Sequence, residues 1–242
     1  MTQFSPENYR ERIRGGGLEC FRIRIRQTDL LVRAERKLEK EAAALVQEGR
    51  LQIEKYIERN PSFATTLEPW CADPTAPALI AEMISAGCRA GVGPMAAVAG
   101  AVAEYVGFGL LCHSGQVIVE NGGDIYIKTD RPVTAAVLAG DSPLSGRVGI
   151  RILPDATPLG VCCSSGRVGH SLSRGRADAA CIVSRSTALA DAAATALGNL
   201  VSGPRDLKRA AESMSGFEGV AGGVIIAGSQ MAAWGEIDLV SL

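Results

Sequence analysis

Two oxygen-bearing side chains four residues apart, Asp191 and Thr195, are the strongest candidates for chemistry in this sequence. They lie in an alanine-rich stretch that predicts a helix opening near Ser186, so both fall on one helix face. A carboxylate and a hydroxyl one turn apart are hard oxygen ligands of the kind that suit Mg2+. A simpler interpretation also stands, in which Thr195 bonds its own backbone and Asp191 is solvated.

A second candidate is the small-residue turn that precedes this helix. Ser164 and Ser165 offer short hydroxyls beside Gly166, whose backbone a ligand can approach closely. His170, one of only two histidines in the chain, follows the turn.

A third candidate is the run Asn121-Gly122-Gly123-Asp124 between two strand-like segments, 116–120 and 125–128. Two glycines framed by Asn and Asp predict a tight hairpin. The bare backbone N–H groups of such a turn could also bind a phosphate or a carboxylate. The hairpin by itself is a sufficient explanation of these residues.

Glu104 is the lone acid in a predicted helix, 95–106, that is otherwise made of small and apolar residues. A carboxylate in that position either lies at the helix rim in water or points towards a polar site.

The composition sets limits on the class of protein. Apolar residues make up 47% and charged residues 21% of the 242, and the net charge of −1 argues against a general nucleic-acid-binding surface. No apolar targeting segment opens the chain and no apolar run is long enough for a membrane span, so we expect a soluble cytoplasmic protein without a membrane partner.

The seven cysteines show no CxxC spacing, which argues against a disulfide framework and, with two histidines, against a transition-metal site. Cys162 and Cys163 are predicted to pack as free thiols at a buried strand end.

The elements that must position these residues form one continuous domain, 1–242. An N-terminal hairpin and a long helix, 18–60, are expected to pack on a core spanning 78–242. That core holds helices at 78–90 and 95–106, a run of strands from 116 to 183, and the helix carrying Asp191. A short helix, 203–214, and a closing hairpin of strands 220–227 and 231–240 complete it.

The order of these pieces is more specific than any one of them. A small-residue helix, then VENGGDI, then SSG followed by GHS, then ALADAAATAL resembles the ApbE family, the Mg2+-dependent FAD:protein FMN transferases. The overlap covers about 91–199. The chain looks most similar to an uncharacterised cytoplasmic ApbE-like group with the stretches RERIRGGGL, GVGPMAAVAGA and TPLGVCCSSGRVGHS.

The resemblance implies an α+β fold, related to the T-fold, in which antiparallel sheet layers pack with helices. It also implies roles for residues that match the family's motifs. These are Asp191 and Thr195 as the metal-ligand pair, Asn121, Gly122, Gly123 and Asp124 as the NxGGD turn, Ser165 and Gly166 as the TSG turn with Ser164 beside it, His170 as the histidine after that turn, Gly100 as the glycine of the AKG element, and Glu104 at a position where the family has an acid.

The chemistry implied is displacement at the diphosphate of FAD, with Mg2+ neutralising charge and His170 acting as an acid/base or as a phosphate contact. Ala99 stands where the transferases usually have lysine, and Leu172 to Arg176 replaces their DPRTG segment. Ala99 favours an alternative, a protein that binds FAD, FMN or another nucleotide without transfer. A third interpretation is an unrelated small-molecule ligand on an inherited fold. The small-residue surfaces of the helices at 93–106 and 187–198 fit either core packing or the seam of a homodimer.

Overall fold

An antiparallel sheet of eight strands separates a helical side of the molecule from a side covered by a smaller sheet of three strands. The computed structural model describes residues 17–165 and 175–242. The order across the large sheet is β1-β2-β3-β4-β7-β8-β9-β10, and that across the small one is β11-β6-β5. The strands are β1 (Glu19–Ile25), β2 (Thr28–Ala34), β3 (Val117–Asn121), β4 (Asp124–Lys128), β5 (Val133–Ala136), β6 (Val148–Ile152), β7 (Leu159–Ser164), β8 (Ala179–Ser184), β9 (Val220–Ala227), β10 (Gln230–Gly235) and β11 (Asp238–Ser241).

Five α-helices occupy the described ranges: α1 (Glu39–Arg59), α2 (Ala78–Ala90), α3 (Val98–Leu110), α4 (Thr187–Asn199) and α5 (Leu207–Met214). Pro94 begins a short 3-10 turn, Pro94–Ala97, that leads directly into α3. The predicted helix at 95–106 is therefore confirmed, with its regular part shifted towards the C-terminus. Its proline stands where the missing N–H costs nothing.

The two faces of the large sheet follow from strict alternation along its strands. Val117 and Val119 of β3 pack in the helical core, whereas Ile118 packs against the small sheet. In β4, Ile125 and Ile127 also face the small sheet. Because successive side chains of a strand point to opposite faces, β4 must present Asp124 to the helices.

The alanines of α4 are core residues within one chain. Ala188 and Ala192 join the cluster with α2 and α3, while Ala190, Ala193 and Ala194 join a second cluster with β8 and β9. Small side chains on every face let this helix lie close to the sheet and to its neighbouring helices at once. Core packing thus accounts for the small residues of α4.

The predicted closing hairpin is correct only in its first half. Strand β9 pairs with β10 as expected, but the chain leaves the large sheet at Gly235, whose φ is +75°. Strand β11 then pairs with β6 in the small sheet. The uninterrupted strand predicted over 231–240 is therefore wrong, because a left-handed glycine ends the pairing.

The prediction that Cys163 is a free thiol is also wrong. Cys163 and Cys181 lie directly opposite each other in β7 and β8, with Cα atoms 4.2 Å apart, and they form a disulfide. Cys162, on the other face of β7, is a buried free thiol as predicted.

No single helix in the described part of the chain is long and apolar enough to cross a membrane. The pair formed by α2 and Pro94–Leu110 meets those criteria together, with a bend of 107° between its halves.

Candidate functional site

Asp191 lies where α4 crosses the beginning of α3. Its Oδ2 accepts a hydrogen bond of 2.9 Å from the backbone N–H of Gly100, and the N–H of Ala99 also bonds this carboxyl. These are N–H groups of the first turn of α3, which have no partner within their own helix. The carboxylate of Asp191 thus caps α3 from a distance of 91 residues in sequence.

Glu104 of α3 performs the reciprocal task for α4. Its Oε2 accepts hydrogen bonds from the N–H groups of Thr187, at 2.8 Å, and of Ala188, at 3.2 Å. The hydroxyl of Ser186 accepts the next one, from Leu189, so the first turn of α4 is fully satisfied. Burial raises the pKa of Glu104 in spite of these bonds. Glu104 therefore anchors α4, and its contact with a cofactor stays a prediction.

Gly100 is required for the close approach of α3 and α4. A Cβ at this position would lie 2.4 Å from the carbonyl oxygen of Thr187 and 2.8 Å from Cβ of Asp191. Backbone this close leaves no room for a side chain. The glycine implied by the family resemblance thus has a physical role, which is to let Asp191 reach the first turn of α3.

The NGGD run forms the predicted hairpin turn between β3 and β4. Asn121 pairs with Asp124, and the two glycines between them have φ values of +64° and +113°. The amide Nδ2 of Asn121 donates to the carbonyl oxygen of Ala99 at 3.0 Å. The turn is therefore bound to Ala99, one of the two residues of α3 that Asp191 contacts from the other helix.

Asp124 joins Asp191, Gly100 and Asn121 from the sheet side, and these four residues with Glu104 form the central cluster of the site. Only 7% of its surface is exposed, and the Cys162 side chain and the Cys163 N–H form hydrogen bonds with its carboxyl. Burial raises the pKa of Asp124 to about 7, and burial together with the charge of Asp124 raises the pKa of Asp191. Two carboxyl groups are therefore neighbours in a space of low polarity.

Cys162 and Thr187 also belong to this cluster, and sequence analysis did not predict that they lie at the site. The single S–H of Cys162 has two acceptors, the Asp124 carboxyl and the carbonyl oxygen of Thr187 at 3.3 Å, and the second contact joins β7 to the start of α4. The signal in the sequence was Gly160, two residues before Cys162. A Cβ there would lie 2.5 Å from Cα of Thr187, so this strand and this helix touch through their backbones.

The remaining predicted residues lie around this centre or outside the described ranges. Thr195 is buried one turn beyond Asp191, with 6% of its surface exposed. Ser164, opposite Ala180, ends β7, and Ser165 follows it, half-buried. Gly166 and His170 lie outside the residues that the structure describes.

The described residues offer too few ligands to enclose a metal ion completely, but they fit an ion such as Mg2+ that also binds water and phosphate oxygens. Within 17–165 and 175–242, no three His, Cys, Asp or Glu side chains are arranged to hold an ion. Two neighbouring carboxylates are present, however, and Oδ1 of Asp124 is buried without a hydrogen-bond partner in those ranges. Mg2+ commonly takes one or two carboxylates and completes its shell with water and phosphate oxygens.

Comparisons with other sequences identify close relatives. A family model described as AbpE bacteria matches residues 10–216. The UPF0280 protein of Methanocella arvoryzae is 39% identical over 217 residues, which covers 89% of this chain and 88% of that protein. The UPF0280 protein of Methanosarcina acetivorans is 36% identical and covers 100% of this chain and 95% of its own length.

Comparisons with solved structures give the same architecture. The flavin transferase ApbE from Vibrio cholerae matches with a TM-score of 0.61 at 12% identity, covering 90% of this chain and 97% of that one. The apo form of the flavinyl transferase ApbE from Pseudomonas stutzeri matches with a TM-score of 0.57 at 15% identity, covering 93% and 94%. At these identities the likeness establishes the fold, and the predicted ApbE-like arrangement of antiparallel sheets and helices is confirmed.

Proposed function

The chain belongs to the family described as AbpE bacteria, and on that premise we propose that it binds FAD together with Mg2+ and cleaves the FAD diphosphate to transfer FMN. One observation supports this proposal most directly. Asp191, fixed by the N–H groups of α3, lies beside the buried carboxyl of Asp124, at the edge of a hairpin turn that is exposed at Gly122. A bound cation would stabilise the charged form of two such neighbouring acids.

The residues of the chain would divide the work between anchoring and binding. Asp191 and Thr195 would supply hard oxygen atoms to the ion, and the N–H group of the exposed Gly122 would face phosphate oxygens. Glu104 and Asn121 would hold α4 and α3 in register, because both bond backbone groups of those helices. Bound at this point, Mg2+ would neutralise charge on the diphosphate and favour displacement at phosphorus.

A second function is favoured by one residue. Ala99 carries a methyl group where the transferases usually have lysine, so this chain brings no cation of its own to the position. Without that charge the same site would bind FAD or FMN and release it unchanged. Binding and turnover are therefore separate questions.

The first experiment is calorimetric titration of FAD and FMN, each with and without Mg2+. Wild type is compared with Asp191→Asn and Asp191→Ala. Asp178→Asn is the matched control, since Asp178 is equally buried and also accepts a backbone N–H, from Gly228 at 2.6 Å. Mg2+-dependent FAD binding that is lost in the Asp191 variants alone supports the proposal.

Turnover is then measured as formation of FMN and AMP from FAD. Mg2+-dependent product formation supports the transferase, and a bound flavin that stays intact supports the binding protein. Absence of heat with either flavin under all conditions refutes both.

A further inference from the structure

Asp124 has a buried carboxylate that its hairpin does not require. The turn is formed by Gly122 and Gly123, whose positive φ values satisfy its geometry without help from an acid. Asp124 nevertheless has only 7% of its surface exposed, and no ion pair with a described residue neutralises it. In such a place the charged form is favoured only when a positive charge lies nearby, and otherwise the group takes up a proton more readily.

The position of Asp124 relative to Asp191 follows from shared contacts. Asn121, directly opposite Asp124 in the hairpin, bonds the carbonyl oxygen of Ala99. Asp191 bonds the N–H groups of Ala99 and Gly100. The hairpin and α4 therefore both bond Ala99, from two sides, and the two aspartates lie close enough for the charge of Asp124 to act on Asp191.

The two oxygens of Asp124 differ in their surroundings. The carboxyl is held by the Cys163 N–H and the Cys162 side chain, which fix its orientation. Oδ1 is buried and has no hydrogen-bond partner within the described ranges. An oriented carboxylate with one unused oxygen is the arrangement of a ligand that binds an ion through a single atom.

We propose that Asp124 supplies a second carboxylate to the divalent cation assigned to Asp191, and that this pair binds the ion before any nucleotide arrives. The identity of the ion rests on the proposed function. The pairing of the two carboxyl groups does not, because it follows from their contacts with the chain and from the unpartnered Oδ1 of Asp124.

The test uses the ligand-free chain of 242 residues and the metal alone. Binding of Mn2+ is measured by loss of the free-ion EPR signal, and thermal unfolding is measured with Mg2+ or with EDTA. We expect Asp124→Asn to weaken Mn2+ binding by about tenfold or more. In EDTA we expect its Tm to equal or exceed that of wild type, because an amide removes the repulsion between two buried acids. The increase in Tm on adding Mg2+ should be smaller than in wild type.

Two further variants make the result specific. Asp178→Asn is the control, because Asp178 also has 7% of its surface exposed but bonds Gly228 away from this cluster. It should melt earlier than wild type and bind Mn2+ unchanged. Asp124→Ser repeats the test with a smaller side chain and must show the same loss of Mn2+.

Failure of this inference is distinguishable from failure of the proposed function. Wild-type Mn2+ affinity in both Asp124 variants, with loss in Asp191→Asn, overturns the role of Asp124 and leaves the function standing. No Mn2+ binding by ligand-free wild type also overturns it. Mn2+ binding that needs both aspartates, without any FAD binding, upholds the inference and refutes the function.

Discussion

Gly100→Ala tests whether the contact between α3 and α4 builds the site. The added Cβ would lie 2.4 Å from the carbonyl oxygen of Thr187, about 1 Å inside an ordinary contact, and that atom belongs to the backbone. The helices must separate, which costs about 1–3 kcal/mol, and separation weakens the bond from Gly100 to Asp191, worth about 1.5–3 kcal/mol. The higher helix propensity of alanine than of glycine offsets about 1 kcal/mol of this loss. We expect a net loss of about 3 kcal/mol.

The assay is reversible urea unfolding in EDTA, supported by thermal melts. A loss of about 3 kcal/mol corresponds to a decrease in Tm of about 6–12 °C for a chain of this size. Gly49→Ala in α1 is the helical control, since its Cβ would meet only flexible side-chain atoms of Leu79 and Tyr105, at 3.3 Å and more. Gly203→Ala is the loop control, because no atom lies within 4 Å of its Cβ.

Whether Gly100→Ala lowers or raises the free energy of unfolding shows whether α3 and α4 touch at this residue. If α3 and α4 did not touch at this point, alanine would stabilise the helix, and Gly100→Ala would unfold later than wild type. A variant as stable as wild type, or more stable, therefore refutes the close approach and with it the path by which Asp191 reaches Gly100.

Three other predictions concern neighbouring features. Burial raises the folded-state pKa of Glu104 above its usual 4.5, so the folded state loses stability when this group ionises. In urea unfolding, the free energy of unfolding of wild type should therefore fall relative to that of Glu104→Gln as the pH rises above 4.5. A difference between the two that stays constant with pH contradicts this. Thiol titration under denaturing conditions should find five thiols, and seven after reduction of Cys163–Cys181; seven before reduction would refute the disulfide. Asn121→Ala should cost about 1 kcal/mol by loss of its bond to Ala99, and an unchanged urea midpoint would show that this bond does not secure the turn.

The sequence determined the local elements because local residues decide them. The hairpin at Asn121 to Asp124 needs two residues with positive φ, and two adjacent glycines supply them at no steric cost. The helix of Asp191 needs a hydroxyl at its N-cap and a run of good helix formers, and Ser186 and the alanines provide both. The spacing of Asp191 and Thr195 then follows from the helical period.

Only the tertiary structure decided what these elements bring together. That Glu104 caps α4 could not be read from local sequence, because the helix that needs the cap begins 83 residues later. Cys163 and Cys181 form a disulfide because strand register places them opposite each other, and register depends on the packing of whole sheets. Asp124 meets Asp191 for a similar reason, since a sheet and two helices must first pack through Gly100 and Gly160. Local sequence sets the conformation of each segment, whereas contacts between distant segments depend on which faces the folded core buries.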